Sequence, residues 1–128
     1  MNYLGIDFGL SHLGLSIAQS PLAEPLAEKT YQTLDQAASY ILRLCQDHQI
    51  EALVLGLPEG KLAPRVRELG FMLSRLANLP VYYQDETLST AEAKQKLLAA
   101  HAPQKKRRAD HSASAALILQ DYLDSINI

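Results

Sequence analysis

Residues 3–19 read YLGIDFGLSHLGLSIAQ, and this stretch decides the fold. Residues 3–8 are a short, almost wholly apolar run, which reads as a buried strand. From residue 13 to 19, Leu13, Leu15 and Ile17 alternate with smaller partners, which reads as a second strand. Only Gly9, Leu10, Ser11 and His12 lie between them, so the two form a hairpin. One residue is out of place in this core: Asp7, between Ile6 and Phe8-Gly9. An ionised carboxylate buried without a partner costs several kcal/mol. A buried cation, a set of backbone donors or a metal ion has to offset that cost. The competing account is an ordinary turn residue, since Asp is favoured close to Gly in turns. Phe8 intervenes and a strand precedes, which argues for the functional account.

Working outward, Pro21 and Pro25 punctuate a weaker third strand near 26–31, expected at a sheet edge. Helical spacing follows. Thr33 with Gln36 forms a capping-box pattern, and Leu34, Ala37, Ala38, Ile41, Leu42 and Cys45 form one apolar face down to about His48. EALVLGLP at 51–58 is a short apolar strand. Pro64 sits near the start of a second helix, with Val66, Leu69, Leu73 and Leu76 as its stripe. Residues 79–84 form a fifth strand that runs into Asp85-Glu86. Ser89 with Glu92 opens a helix to about Ala100. HAPQKKRR at 101–108 is a basic loop, and a last, nearly all-apolar helix runs from about Asp110 to Ser125.

The expected order is β-β-β-α-β-α-β-α-α. The fold class is α/β, with a mixed five-stranded sheet flanked by helices. Its first three strands form an antiparallel meander, and two more join in parallel by right-handed crossovers. The 128 residues suit one domain, 1–128, with a core of ordinary size. No repeat, linker or low-complexity segment interrupts it. No apolar run reaches the roughly 20 residues of a membrane helix, and no basic-then-apolar leader opens the chain. The lone Cys45 excludes an internal disulfide and fits a reducing, cytoplasmic setting. The four histidines are scattered without zinc spacing.

Net charge is −2, but its distribution is uneven. Ten of the twelve Lys and Arg fall between Lys61 and Arg108, with four acids in that span, so the segment carries +6 and the remainder −8. Such a basic half is the electrostatic footprint of a polyanion partner. Arg65, Arg67, Arg75, Lys94 and Lys96 read as solvated helix faces. Lys105, Lys106, Arg107 and Arg108 form the sharpest cluster, a place for phosphate contacts that position a nucleic-acid backbone without reading its sequence.

Three acids stand at the boundaries of core elements: Asp7 near the end of the first strand, Glu86 just past the fifth, and Asp110 at the start of the last helix. Parallel strands end at one edge of the sheet, where open α/β sheets place their sites. Asp85-Glu86 also suit plain loop acids ahead of the Ser89 cap, and Asp110 a helix N-cap; the shared edge of Asp7, Glu86 and Asp110 is what points to chemistry. Converging carboxylates repel unless a hard divalent cation, Mg²⁺ or Mn²⁺, holds them. Two such ions activate water and stabilise the departing oxygen of a phosphodiester. His12, Cys45 and the Tyr82-Tyr83 pair read as structural, and His111 reads as a packed or exposed helix-start residue in preference to a proton shuttle.

Four segments carry a family resemblance: GIDFG at 5–9 with Gly14 following, LVLGLP at 53–58, DETLSTAEA at 85–93 and ADHSASAALILQDYL at 109–123. In this order and spacing the chain resembles the YqgF/RuvX-type nucleases of the RNase H-like superfamily, over nearly its whole length. The resemblance implies an RNase H-like fold and a Mg²⁺- or Mn²⁺-dependent phosphodiesterase. Members look like nucleases that trim the 5′ end of the small-subunit rRNA precursor, and they have been described as Holliday-junction resolvases. The family's acidic ligands fall on Asp7, Glu86 and Asp110. The chain departs from the pattern at Ser11-His12, where Lys-Arg is usual, and at Thr87, where Arg is usual. The loop PEGKLAP at 58–64 is compact. Lys61, Arg107 and Arg108 are the candidates to replace the missing cations. Other readings are branched-DNA cleavage, a silent RNA-binding scaffold, and an actin-like or sugar-kinase ATPase, for which 128 residues leave no second domain.

Overall fold

The computed structural model describes residues 1–85 and 111–126. Its elements are β1 (Tyr3–Phe8), β2 (His12–Ala18), β3 (Glu24–Thr30), α1 (Leu34–Asp47), β4 (Ala52–Leu57), α2 (Ala63–Ala77), β5 (Val81–Asp85) and α3 (His111–Ile126). The expected helix from Ser89 and the basic loop at 101–108 lie outside the described residues.

The strands form one sheet in the order β3-β2-β1-β4-β5. β1–β2 and β2–β3 are antiparallel, and β1–β4 and β4–β5 are parallel. The meander and the two parallel additions are as the sequence predicts. β1 and β2 pair from Tyr3↔Ala18 to Phe8↔Leu13, and the Gly9 N–H closes the hairpin on the His12 carbonyl at 2.8 Å. The central β4 is buried from Ala52 to Gly56, as expected of a parallel strand covered on both faces.

Alternation along the strands divides two cores. On one face Leu4, Ile6, Phe8, Leu13, Leu15, Leu53 and Leu55 pack with Ala37, Ala38 and Ile41 of α1 and Val66, Leu69 and Leu73 of α2. On the other, Ala18 and Val54 meet Ile118, Leu119 and Leu123 of α3. Each large side chain so buried contributes about 1.5–3 kcal/mol. The α1 cap forms as the sequence predicts: Thr33 Oγ1 accepts from the Gln36 N–H at 3.2 Å. The Gln36 side chain reaches back one residue further than a standard capping box, accepting from the Gln32 N–H at 2.8 Å.

Several expectations are corrected. β3 starts at Glu24, so Pro25 lies inside the strand and not before it. It is tolerated because β3 is an edge strand and because the register shifts there, from Leu15↔Ala27 to Ser16↔Pro25. Leu76 does not continue the α2 stripe; it is 62% exposed. Gly70 completes the buried face instead, because the Tyr83 hydroxyl fills the space a side chain would need there. Asp85 is the last residue of β5 and not a loop acid. Arg65, Arg67 and Arg75 are exposed on α2, as expected of a solvated face, and Arg67 and Arg75 also lie over the rings of Tyr83 and Phe71 at 5.3 and 5.6 Å.

Candidate active site at the carboxyl edge of the sheet

Asp7 follows Tyr3 and Gly5 on the face of β1 that α3 covers, and it is half-buried. Small residues let that helix come close. Gly5 faces Ser16 and Leu119, and a Cβ on it would overlap the Ser16 hydroxyl. The buried Ser16 donates to the Ala115 carbonyl at 2.8 Å. Gly14, the register partner of Asp7, lies directly against His111, and a Cβ there would overlap the His111 carbonyl. The first residue of α3 therefore stands over the position that pairs with Asp7.

His111 is fixed from two further sides. Its backbone N–H donates to Glu28 Oε1 of β3 at 2.6 Å. A carboxylate suits the exposed N–H groups and positive pole of a helix start. Its ring stacks on His12 with centroids 5.0 Å apart and planes 18° apart. His12 Nδ1 in turn shares a hydrogen bond with Ser11 Oγ at 3.0 Å. The Ser11-His12 pair thus braces the hairpin tip against α3, which agrees with the structural role predicted for both histidines.

The other strand ends lie along the same edge. β1, β4 and β5 are parallel, and Leu57 pairs with Asp85 at their carboxyl ends. Lys61 is exposed in a single 3₁₀ turn, Gly60–Leu62, that follows β4. Tyr82 stacks on Tyr122 of α3, and Tyr83 faces Gly70 of α2, so both tyrosines are structural, as predicted. Cys45 is buried in the α1 core, and burial pushes its thiol up to about 11.

Of the predicted ligands, Asp7 is described; Glu86 and Asp110 lie outside the described residues, as do Lys105, Lys106, Arg107, Arg108 and Thr87. Among the described residues no three His, Cys, Asp or Glu side chains are grouped to hold a metal ion. The described part fits a hard-cation site in donor chemistry: a half-buried carboxylate opposite a glycine at the end of a parallel strand. Asp85 and His111, the described neighbours of the other two acids, both lie at an element end. Sequence reasoning missed Glu28. On an edge strand it reads as one more solvated acid, and only the β3–α3 contact reveals its role.

Among the described residues no helix is long and apolar enough to cross a membrane. A family model described as "RuvX: Holliday junction resolvase" matches residues 1–125. A protein of Protochlamydia amoebophila (strain UWE25) named "Putative pre-16S rRNA nuclease" is 36% identical over 138 residues, covering 95% of this chain and 92% of its own. One of the same name from Dictyoglomus thermophilum is 33% identical, covering 100% and 99%. Among solved structures, T. thermophilus RuvC in complex with a Holliday junction substrate superposes with a TM-score of 0.66 at 18% identity, over 98% of this chain and 95% of that one. The Fowlpox virus resolvase complex with Holliday junction DNA gives 0.61 at 13% identity, over 100% of both chains. These two likenesses show the fold, which is RNase H-like, and the matched family and full-length relatives show the rest: the chain belongs to the RuvX family, nucleases that hydrolyse phosphodiester bonds of nucleic acid.

Proposed function

We propose that this chain, acting as one catalytic domain in the cytoplasm, hydrolyses phosphodiester bonds of structured RNA during 5′-end processing of the 16S rRNA precursor. Asp7, Glu86 and Asp110 would hold Mg²⁺ or Mn²⁺, two ions in all. The observation that carries this reading is the place of Asp7: half-buried at the carboxyl end of β1, paired with Gly14, beneath the first residue of α3. Asp85 and His111, adjacent in sequence to the other two acids, end β5 and begin α3. The names of the full-length relatives support the rRNA precursor as substrate.

Held by these carboxylates, such ions would supply activation of a water and stabilisation of charge on the departing oxygen. The chain's own residues do the rest. Asp7 holds its carboxylate at a fixed strand position. Gly14 admits the start of α3, and Glu28 and His12 hold that start in place. Lys61, Lys105, Lys106, Arg107 and Arg108 grip backbone phosphates in place of the cations usual at Ser11, His12 and Thr87.

The test is a cleavage assay with Mn²⁺, Mg²⁺ or EDTA on a mimic of the precursor 5′ end and on a four-way DNA junction. Wild type, Asp7→Asn, Glu86→Gln and Asp110→Asn are compared. The expected result is metal-dependent cutting of the RNA by wild type alone. Cutting of the junction in preference would establish the second reading, which the junction-bound fold neighbours favour. Full activity of Asp7→Asn would refute the site. Tight RNA binding with no turnover would make the chain a scaffold.

A further inference from the structure

On the other side of the hairpin tip from Asp7 lies a cleft of about 490 Å³ lined by Ser11, Lys29, Thr30, Tyr31, Gln32 and Gln36. We propose that this cleft binds the sugar-phosphate backbone of the substrate strand beyond the scissile bond, with Lys29 as its phosphate contact. The proposal rests on the nuclease reading above and adds to it a second point of grip.

The cleft is built from polar groups on a rigid frame. Its floor is Tyr31, buried and stacked on Phe8 with centroids 5.3 Å apart, its hydroxyl donating to the Gly9 carbonyl. The Tyr31 N–H donates to the Ser11 carbonyl at 3.1 Å, so the hairpin tip is tied to the end of β3. What the walls offer a ligand is mainly donors. Ser11 and Thr30 carry hydroxyls. Gln36 has its Oε1 engaged by the Gln32 N–H, which leaves the amide NH₂ to give. Among the described residues of the lining Lys29 is the only charged one, and the Arg65 guanidinium adds positive potential at Tyr31. The Lys29 ammonium lies 5.4 Å from the centre of the Tyr40 ring, a contact a phosphate can share or replace.

Strand alternation keeps that charge from being neutralised by its neighbour. Glu28 and Lys29 point to opposite faces of β3. Glu28 pairs with Gly14 and turns its carboxylate to His111 under α3, while Lys29 pairs with Leu13 on the α1 side. A donor-rich cleft with a lysine in its wall suits an acceptor-rich anion, and a phosphodiester backbone is such a ligand. Its position fits the same strand that meets Asp7. Ser11 belongs to the cleft, and His12, hydrogen-bonded to it, stacks on His111 beside the candidate site. A strand crossing the tip at Ser11-His12 reaches both.

The test is binding of a short fluorescein-labelled single-stranded RNA to the full chain in EDTA, across a salt series. Lys29→Glu is expected to raise Kd about tenfold, the scale of one charge-assisted hydrogen bond. It should also flatten the slope of log K against log salt by about 0.7, one phosphate contact on a single strand. Lys29→Arg should restore both. Gln32→Glu, which leaves the Lys29–Tyr40 contact and the backbone bond at Gln32 in place, should also weaken binding and guards against misfolding of the Lys29 variant. Unchanged Kd and slope in both Lys29→Glu and Gln32→Glu would overturn the proposal. So would displacement of the RNA by AMP as effectively, mole for mole, as by unlabelled RNA, which would make the cleft a mononucleotide site. Asp7→Asn, read by cleavage, separates the two ideas: a dead Asp7→Asn with neutral cleft variants removes the cleft alone, and an active Asp7→Asn with impaired cleft variants removes the metal site alone.

Discussion

The Glu28 carboxylate accepts a hydrogen bond from the backbone N–H of His111 at 2.6 Å, joining an edge strand to a helix start 83 residues later. It acts as a helix cap supplied from a neighbouring strand. Glu28→Ala is expected to destabilise the protein by about 1 kcal/mol, the usual cost of losing a cap. Glu28→Gln keeps an acceptor oxygen and should lose less. Urea titrations of the three proteins check this; coincident curves would show that the bond contributes nothing to stability.

Gly14 is required because the backbone of α3 occupies the place of its side chain. Gly14→Ala forces the His111 turn away from β2. The expected cost is about 1–3 kcal/mol, the range for overpacking a filled interior. Cleavage should fall as well, because the same displacement moves α3 from the Asp7 register. Hydrogen exchange should show faster opening of the first turn of α3 than of β1. A fully stable, fully active Gly14→Ala would contradict the packing described.

If Asp7 holds a divalent ion, the ion must favour the folded state. By mass action, Mn²⁺ at about 100 times its Kd adds about 2.7 kcal/mol. Wild type should therefore melt higher in Mn²⁺ than in EDTA, and Asp7→Asn should not. An equal shift in both proteins would mean that the ion binds elsewhere.

Burial holds the Cys45 thiol neutral up to about pH 11, against an ordinary value of 9.0. The folded state therefore binds this proton more tightly than the unfolded state. The associated stability is complete below pH 9 and is lost as the pH rises from 9 toward 11. Its size is about 2–3 kcal/mol over that window. Cys45→Ala should show a shallower alkaline decline in urea stability than wild type. In native protein at neutral pH the thiol should resist alkylation until the chain unfolds.

The sheet was legible from residues 3–19 and 51–58, because apolar alternation and a four-residue link leave few ways to pair. The Thr33–Gln36 cap was legible for the same reason: it depends only on near neighbours. What escaped depends on residues far apart in sequence. Gly70 buries a helix face because Tyr83 arrives from β5, so the apolar pattern pointed to Leu76 instead. Lys29 and Glu28 look equivalent in the sequence, yet one faces α1 and the other α3. Asp7 stands out in the sequence because a carboxylate in a buried strand demands an explanation, and the structure places it half-buried at the end of β1. Glu86 and Asp110 were picked from their places at element ends and from the resemblance; they lie outside the described residues, and the role of all three acids belongs to the proposal.

Pro25 has a consequence for self-association. β3 is the outer strand of the sheet, and on its length Pro25 has no N–H to offer while the register slips beside it. Glu24, Glu28 and Lys29 add charge along the same strand. A second chain approaching this edge finds an interrupted row of donors and a charged border, features that keep exposed edges from recruiting new strands. Among the described residues the sheet ends at β3, and this edge is a poor template for pairing with a second copy of the chain.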